Sequence, residues 1–269
     1  MERYREIEKS IIKKYRKEIW GRFVKAVKDY ELIEENDKIA VCISGGKDSF
    51  LLAKCMEELL RHGKFHYELE YIIMNPGYAP LNLAQIKDNL ETLNIKAHIF
   101  DTPIFNVVEG ETNACYRCAK MRRGYLYDYA KKLGCNKIAL GHHFNDVVET
   151  IMLNMLFNGS YGSMMPKLHS DNFEGMELIR PLYLICEKDI ISWAKYNDLI
   201  FLNCACSVTK TSSGKRVVIK NLIEELNELH EDADKCIFNS STNVNLDTII
   251  GYKKDNIKHN FLDKYGDKK

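Results

Sequence analysis

The stretch Ser44-Gly45-Gly46-Lys47-Asp48-Ser49 decides how this chain is read. It follows the apolar run Lys38-Ile39-Ala40-Val41-Cys42-Ile43, which predicts a buried strand. It precedes Phe50-Leu51-Leu52-Ala53, with Met56, Leu59 and Leu60 beyond, which predicts a helix with an apolar face. A strand, a short glycine loop and a helix start together make a phosphate cradle. The glycines let the backbone approach an anion closely, and the helix N-terminus offers free N–H groups and the positive end of its dipole. Ser44 and Ser49 add hydroxyls, and Lys47 adds a point charge. A Walker loop does not fit, because Asp48 follows the lysine and Val41 stands where an earlier glycine is required. A Gly-Gly pair alone would read as a tight turn; the six residues in this setting read as a phosphate site.

Working outward, the hydrophobic pattern predicts further strands at 67–74, 96–100 and 136–140. Helices are expected at 80–93, 115–133 and 145–157, and again at 187–197 and 217–230. Strand and helix alternate, which points to an α/β fold: a doubly wound, mostly parallel sheet with helices on both faces. Ligands of such sheets sit beyond the C-terminal strand ends. Three loops follow strands and can line one crevice: Ser44–Ser49, Asn75-Pro76-Gly77 and Gly141-His142-His143. Ahead of the first strand, Tyr4, Ile7, Ile11, Tyr15, Ile19, Phe23, Val27 and Tyr30 recur at helical spacing. Residues 1–35 are therefore expected to form a long basic amphipathic helix, 36–230 the nucleotide domain, and 231–269 a partly loose extension.

The chain has 269 residues, 45% hydrophobic and 29% charged, which suits a soluble globular protein. No apolar run approaches the roughly 20 residues of a membrane span, and the first residues lack a signal-peptide core. A cytoplasmic location without membrane association is the expectation. Net charge is only +1, yet residues 1–30 carry ten Lys/Arg against five Asp/Glu. Lys120, Arg122, Arg123, Lys131 and Lys132 form a second basic stretch. Both patches suit an RNA backbone, and both also read as solvated helix faces.

Nine cysteines are many for a chain of this class, and in a reducing compartment clusters point to metal or redox chemistry. Cys115-Tyr-Arg-Cys118 opens a predicted helix, where i and i+3 share a face. Cys204-Ala-Cys206 supplies candidates to complete a metal site. Cys42, Cys55, Cys135, Cys186 and Cys236 read as small core residues. In Gly141-His142-His143-Phe144-Asn145-Asp146, two histidines and a carboxylate can hold metal or phosphate or act as acid and base. The same residues also read as a helix start with Asn145 or Asp146 as its cap. Arg180 is a candidate phosphate contact, or a surface arginine.

The glycine loop resembles that of the N-type ATP pyrophosphatases. Further segments extend the likeness to the tRNA-cytidine 2-sulfurtransferase family, which makes 2-thiocytidine. These are Cys115-x-x-Cys118 with Arg122-Arg123-Gly124, the run from Lys137 to His143, Asp146, Asn154, Pro166-Lys167, Ile179-Arg-Pro-Leu182, Glu187-Lys188-Asp189-Ile190 and Cys204. The resemblance spans roughly 15–230. It implies ATP and Mg2+ at Ser44, Gly45, Gly46, Lys47, Asp48 and Ser49, with Asn75, Gly141, His142, His143, Asp146 and Arg180 around them. It implies a [4Fe–4S] cluster on three cysteines: Cys115, Cys118 and a third, for which Cys204 aligns best and Cys206 is the alternative. One iron would then stay open for sulfur. Lys47, Asp48, Cys115, Cys118 and Cys204 would carry the reaction, in which ATP yields AMP and pyrophosphate.

The implied partners are tRNA and a sulfur donor, either a cysteine desulfurase system or inorganic sulfide. The N-terminal helix also offers a surface for a homodimer. Two rivals share the loop. One is a cluster-independent ligase that adenylates its substrate and uses the cysteines for structural zinc. The other is a non-catalytic nucleotide- or RNA-binding module.

Overall fold

A computed structural model describes residues 2–63, 66–108, 114–202 and 214–265. The strand predicted ahead of the glycine loop is β1 (Lys38–Cys42), and the helix after it is α3 (Lys47–His62). β2 (Glu68–Asn75), α4 (Pro80–Thr92), β3 (His98–Asp101), α5 (Ile104–Val108), α6 (Ala114–Lys132), β4 (Lys137–Ala139) and α7 (Phe144–Asn158) continue the alternation. Two short strands follow that hydrophobic patterning did not reveal, β5 (Lys167–His169) and β6 (Glu177–Ile179). At three residues each, they are too short to show a period.

The sheet order is β3-β2-β1-β4-β6-β5. Every pair is parallel except β5–β6. The fold is thus α/β with a mostly parallel sheet. The chain winds outward from β1 to β3 and then returns to lay β4 against the other side of β1. The order reverses between β1 and β4, and the loops leaving those two strands must diverge there. A crevice results at their C-terminal ends.

The core follows from strands buried on both faces. Ile39, Ala40 and Val41 are wholly buried, as are Leu51, Leu52 and Met56 of α3. At the opposite edge from the crevice, the Lys137 ammonium is buried against Asp37 at 2.8 Å and Glu177 at 3.2 Å. This cluster ties the start of β4 to β6 and to the turn before β1.

The N-terminal segment departs from one continuous helix. It forms α1 (Arg3–Ile12), a π-helical turn (Arg16–Trp20) and α2 (Gly21–Asp29). The apolar stripe is still continuous in space: Ile7, Ile11, Ile19 and Phe23 pack into the same core as Leu51, Leu52 and Trp193. Buried charge pins α1 to α3, with Lys54 Nζ 2.6 Å from Glu8 Oε1 and Arg61 Nη1 2.7 Å from Glu8 Oε2.

On the other side of the sheet's end, α8 (Glu187–Tyr196), α9 (Gly214–Leu229) and α10 (Ala233–Ser240) complete the helical cover. Ile219, Ile223 and Phe238 pack on Val147 and Ile151 of α7. The sequence predicts a partly loose C-terminal stretch. That stretch instead holds α10 and a two-stranded hairpin of β7 (Gly251–Lys254) and β8 (Ile257–Asn260). No helix of the described residues is long and apolar enough to cross a membrane.

The burial of Phe23 makes a definite prediction. Phe23→Ala is expected to cost about 3–5 kcal/mol and to lower the urea midpoint of one cooperative transition. A separate early transition confined to the N-terminal helices would show that they fold as an independent unit.

Candidate active site

The crevice at the β1–β4 switch point opens into a cavity of about 520 Å3. Its walls come from five elements. Ser44, Asp48 and Ser49 follow β1, Gly141, His142 and Asp146 follow β4, and Tyr78 follows β2. Arg122 and Arg123 reach in from α6, and Arg180 from just past β6.

The glycine loop is held by its own serines. Ser49 Oγ donates to the Gly46 carbonyl at 2.8 Å and accepts from the Ser44 amide at 3.1 Å. Gly45 sits at φ +90°, a conformation that favours glycine, and a side chain there would also press on Ile86 and Leu202. Gly46 is the extended N-cap of α3, so the free amides of the first turn face the loop. Gly141 explains how the second loop fits: a Cβ there would lie 3.1 Å from the backbone of both Asp48 and Ser49. The two strand-end loops touch through backbone because residue 141 has no side chain.

The charges are arranged around that contact. Lys47 Nζ lies 3.0 Å from Glu187 Oε1 and 3.1 Å from Asp48 Oδ1. Glu187 also takes Lys220 of α9 at 2.9 Å. Burial raises the Glu187 pKa, but hydrogen bonds from Lys220 and Lys47 outweigh it and bring it down to about 2. Burial lowers the Lys47 pKa, and Asp48 and Glu187 reverse this, so Lys47 stays a firm cation. The Asp48 pKa is raised above the usual carboxylate value, since its burial outweighs the pull of Lys47 and His143. Its Oδ1 is buried and makes no hydrogen bond among the described residues.

His142 and Arg180 form the far wall. Arg180 Nε donates to His142 Nδ1 at 3.3 Å, and its Nη1 donates to the Met165 carbonyl. Burial pushes His142 down to about 4, so the ring is neutral at pH 7. With Nδ1 accepting, the ring proton sits on Nε2, a donor available to a ligand. Burial also lowers Arg180 to about 10, which leaves it charged. Sequence allowed a surface arginine at this position; the residue is 8% exposed. It is fixed by partners from two other segments, a pairing that sequence does not display.

His143 is not a cavity wall. It is buried at the N-cap of α7, with Nε2 3.9 Å from Asp48 Oδ1 and Nδ1 3.4 Å from Asp146 Oδ2. The Asp146 carboxylate accepts the His143 amide at 3.0 Å. The segment is a capped helix start beside the glycine loop, but the N-cap is His143 rather than Asn145 or Asp146, and Asp146 serves at the third helical position by accepting the N-cap amide. Asn75 is committed to its own turn. Its Nδ2 donates to Asp101 at 2.7 Å, and its Oδ1 accepts the Tyr78 amide at 2.8 Å. The residue presented to the cavity is Tyr78, whose hydroxyl donates to the Ser44 carbonyl at 3.3 Å.

Arg122 and Arg123, which read from sequence as an RNA-facing patch or a solvated helix face, both line the cavity, with Arg122 half-buried and Arg123 exposed. The Arg122 guanidinium lies 5.8 Å from the centre of the Phe105 ring, and its Nε is buried and makes no hydrogen bond among the described residues. Glu187 and Lys220 carried no site reading from composition or spacing. Only their position in the Glu187–Lys188–Asp189–Ile190 series hinted at the former.

Cys115 and Cys118 lie three residues apart near the start of α6. Cys204 and Cys206 fall outside the described residues. Of the other cysteines, Cys42, Cys55 and Cys135 are buried as expected. Cys186 is half-buried and packs against the core around α7, whereas Cys236 is exposed, which corrects the core reading of Cys236. Cys236 lies on the outer side of α10, a helix that the sequence reading had not anticipated. Among the described residues, no group of three or more His, Cys, Asp or Glu converges as a metal cage.

The geometry makes two predictions. Gly141→Ala is expected to displace the Asp48–Ser49 backbone and weaken ATP binding at least tenfold, measured by calorimetry, with the sheet intact by circular dichroism. His142 is expected to titrate near pH 4 by NMR. Because its folded pKa lies below its unfolded value of about 6.5, it contributes stability above that value. The contribution is lost as pH falls toward 4, and His142→Gln is expected to flatten that part of the pH–stability curve.

Comparison with known proteins agrees with this layout. The family model described as PP-loop domain matches residues 16–220. The tRNA-cytidine(32) 2-sulfurtransferase of Geotalea uraniireducens is 35% identical over 84% of this chain and 91% of its own length. That of Chromohalobacter salexigens is 33% identical, over 88% of this chain and 84% of its own. Among solved structures, the U34-tRNA thiolase NcsA from Methanococcus maripaludis, determined with its [4Fe-4S] cluster, has a TM-score of 0.65. It is 22% identical, covering 82% of this chain and 76% of its own, a likeness of fold. A glycine-framed phosphate loop at the sheet's switch point, together with this breadth of match, makes the chain a member of the tRNA-cytidine 2-sulfurtransferase family of PP-loop ATP pyrophosphatases.

Proposed function

We propose that this protein is an ATP-dependent tRNA sulfurtransferase that converts a cytidine of tRNA to 2-thiocytidine. The observation that carries the reading is the cation-lined cavity built onto the Ser44–Ser49 loop at the switch point. The names of the relatives at about 35% identity support the substrate and point to position 32.

The chemistry follows from the residues. The C2 carbonyl oxygen of cytosine is a poor leaving group, and transfer of AMP onto it makes it a good one. The base oxygen attacks the α-phosphorus of ATP, the bond to the β-phosphate oxygen breaks, and pyrophosphate departs. The amides at the start of α3, with Ser44 and Ser49, receive the departing phosphates. Lys47 neutralises the growing charge, and Arg180 and the neutral His142 hold phosphate oxygens on the opposite wall. A sulfur nucleophile then adds at C2, and AMP leaves with the former carbonyl oxygen. Arg122 and Arg123 line the same cavity and stabilise the negative charge of that addition.

Two groups fit the donor sets. The buried Asp48 Oδ1, which has an ion pair with Lys47 but no hydrogen bond among the described residues, is an oxygen ligand of the kind Mg2+ takes, and Mg2+ there would offset phosphate charge. Cys115, Cys118 and either Cys204 or Cys206 would provide the thiolates for a [4Fe–4S] cluster, and positions 115, 118, 122 and 126 share one stripe of α6 by spacing. When bound on three cysteines, the cluster would supply an iron with an open coordination position for sulfur.

The deciding experiment is mass spectrometry of tRNA nucleosides from cells with and without the protein. Loss of 2-thiocytidine is the expected outcome; an unchanged level would overturn the reading. In the purified system, Lys47→Ala is expected to slow tRNA-dependent pyrophosphate release by about 100-fold or more. Cys115→Ala is expected to abolish the brown colour and thiolation together. Full turnover by that variant would select a cluster-independent ligase.

A further inference from the structure

We propose that the C-terminal hairpin is an electrostatic contact for the sugar–phosphate backbone of the substrate RNA. This rests on the tRNA reading above and adds a surface outside the part matched by the PP-loop family model, which ends at residue 220.

The hairpin is well specified by its own sequence. Asp255 and Asn256 have φ of 50° and 63°, the two positive values of a tight two-residue turn. The register pairs Tyr252 with His259, Lys253 with Lys258 and Lys254 with Ile257. Directly paired residues share a face, and successive pairs alternate between faces. One face carries the Tyr252 and His259 rings, stacked with centroids 4.8 Å apart. His259 is further held by Asp263 at 3.5 Å. These contacts account for the cohesion of the ribbon.

The other face has no such account. It sets Lys253 directly opposite Lys258, and both are exposed. Like charges directly opposite on a strand pair destabilise it, and an isolated two-stranded hairpin has little stability to spare. Among the described residues, neither lysine has an ion pair or a side-chain hydrogen bond. Lys254 at the turn is exposed as well. Residues 251–265 hold four lysines and two aspartates, and one aspartate is occupied by His259. The chain as a whole is nearly neutral at +1, so this is a local excess. A row of phosphates at regular spacing relieves the repulsion and gives the lysines partners. An RNA backbone is the polyanion that the proposed reaction brings to this protein.

The test uses the full chain with Lys253→Gln and Lys258→Gln combined, and an unmodified tRNA transcript. Affinity for tRNA is expected to fall roughly tenfold at moderate salt. The salt slope should become shallower by about one for each lysine removed. ATP affinity should be unchanged, and the Lys253→Arg/Lys258→Arg pair should restore tRNA binding. Unchanged tRNA affinity and slope, with wild-type thiolation intact, would overturn this inference alone. A changed oligomeric state with unchanged tRNA affinity would assign the face to a second copy and also overturn it. Failure of the wild-type protein to bind or thiolate tRNA would remove the functional reading and this one with it.

Discussion

The backbone contact between Gly141 and the Asp48–Ser49 peptide is the constraint on which the site depends. A parallel sheet places its crevice where the winding reverses, and here that is between β1 and β4. The crevice holds phosphate only if the loops leaving those strands come close enough for their polar groups to converge. With a Cβ at 141 only 3.1 Å from backbone atoms of Asp48 and Ser49, any other residue would force that contact to open by a few tenths of an ångström. Ser49, by bonding both ends of the glycine loop, keeps the first partner of that contact in shape.

Around this contact, charge is balanced rather than excluded, with Lys47, Glu187 and Arg180 largely buried and Lys220 exposed. Lys47 and Lys220 share Glu187, while Arg180 rests on a neutral histidine and a carbonyl. Such groups are costly to bury unless each has a partner, and the partners come from α3, α8, α9 and the loops beyond β4 and β6. The cavity therefore joins the sheet to the α-helical cover. Glu187 also accepts no freedom at its own backbone, since its amide donates to Asn145 Oδ1 at 2.9 Å, which ties α8 to the start of α7.

Much of this was legible in the chain itself. The alternation of apolar strands and amphipathic helices gave the layers, because a strand buried on both faces must be continuously apolar. The order Ser-Gly-Gly-Lys-Asp-Ser gave the phosphate loop, because only glycine meets its backbone demands. Less visible were β5 and β6, too short for periodicity, and the hairpin, whose signal is one Asp-Asn turn in a polar tail. Arg122 and Arg123 read as an RNA-facing patch or a solvated face, since sequence shows their spacing along α6 but not that they line the cavity.

The sequence by itself determined the class of fold and the location of the anion cradle, since both follow from local properties: side-chain periodicity, glycine freedom and the helix dipole. Only the tertiary structure decided which charges meet there. It turned Asn75 into a turn former, presented Tyr78 in its place, buried Arg180 against His142 and joined Glu187 to Lys47 across 140 residues of chain. Those pairings arise from packing distant segments into one low-dielectric space, and no local pattern encodes them.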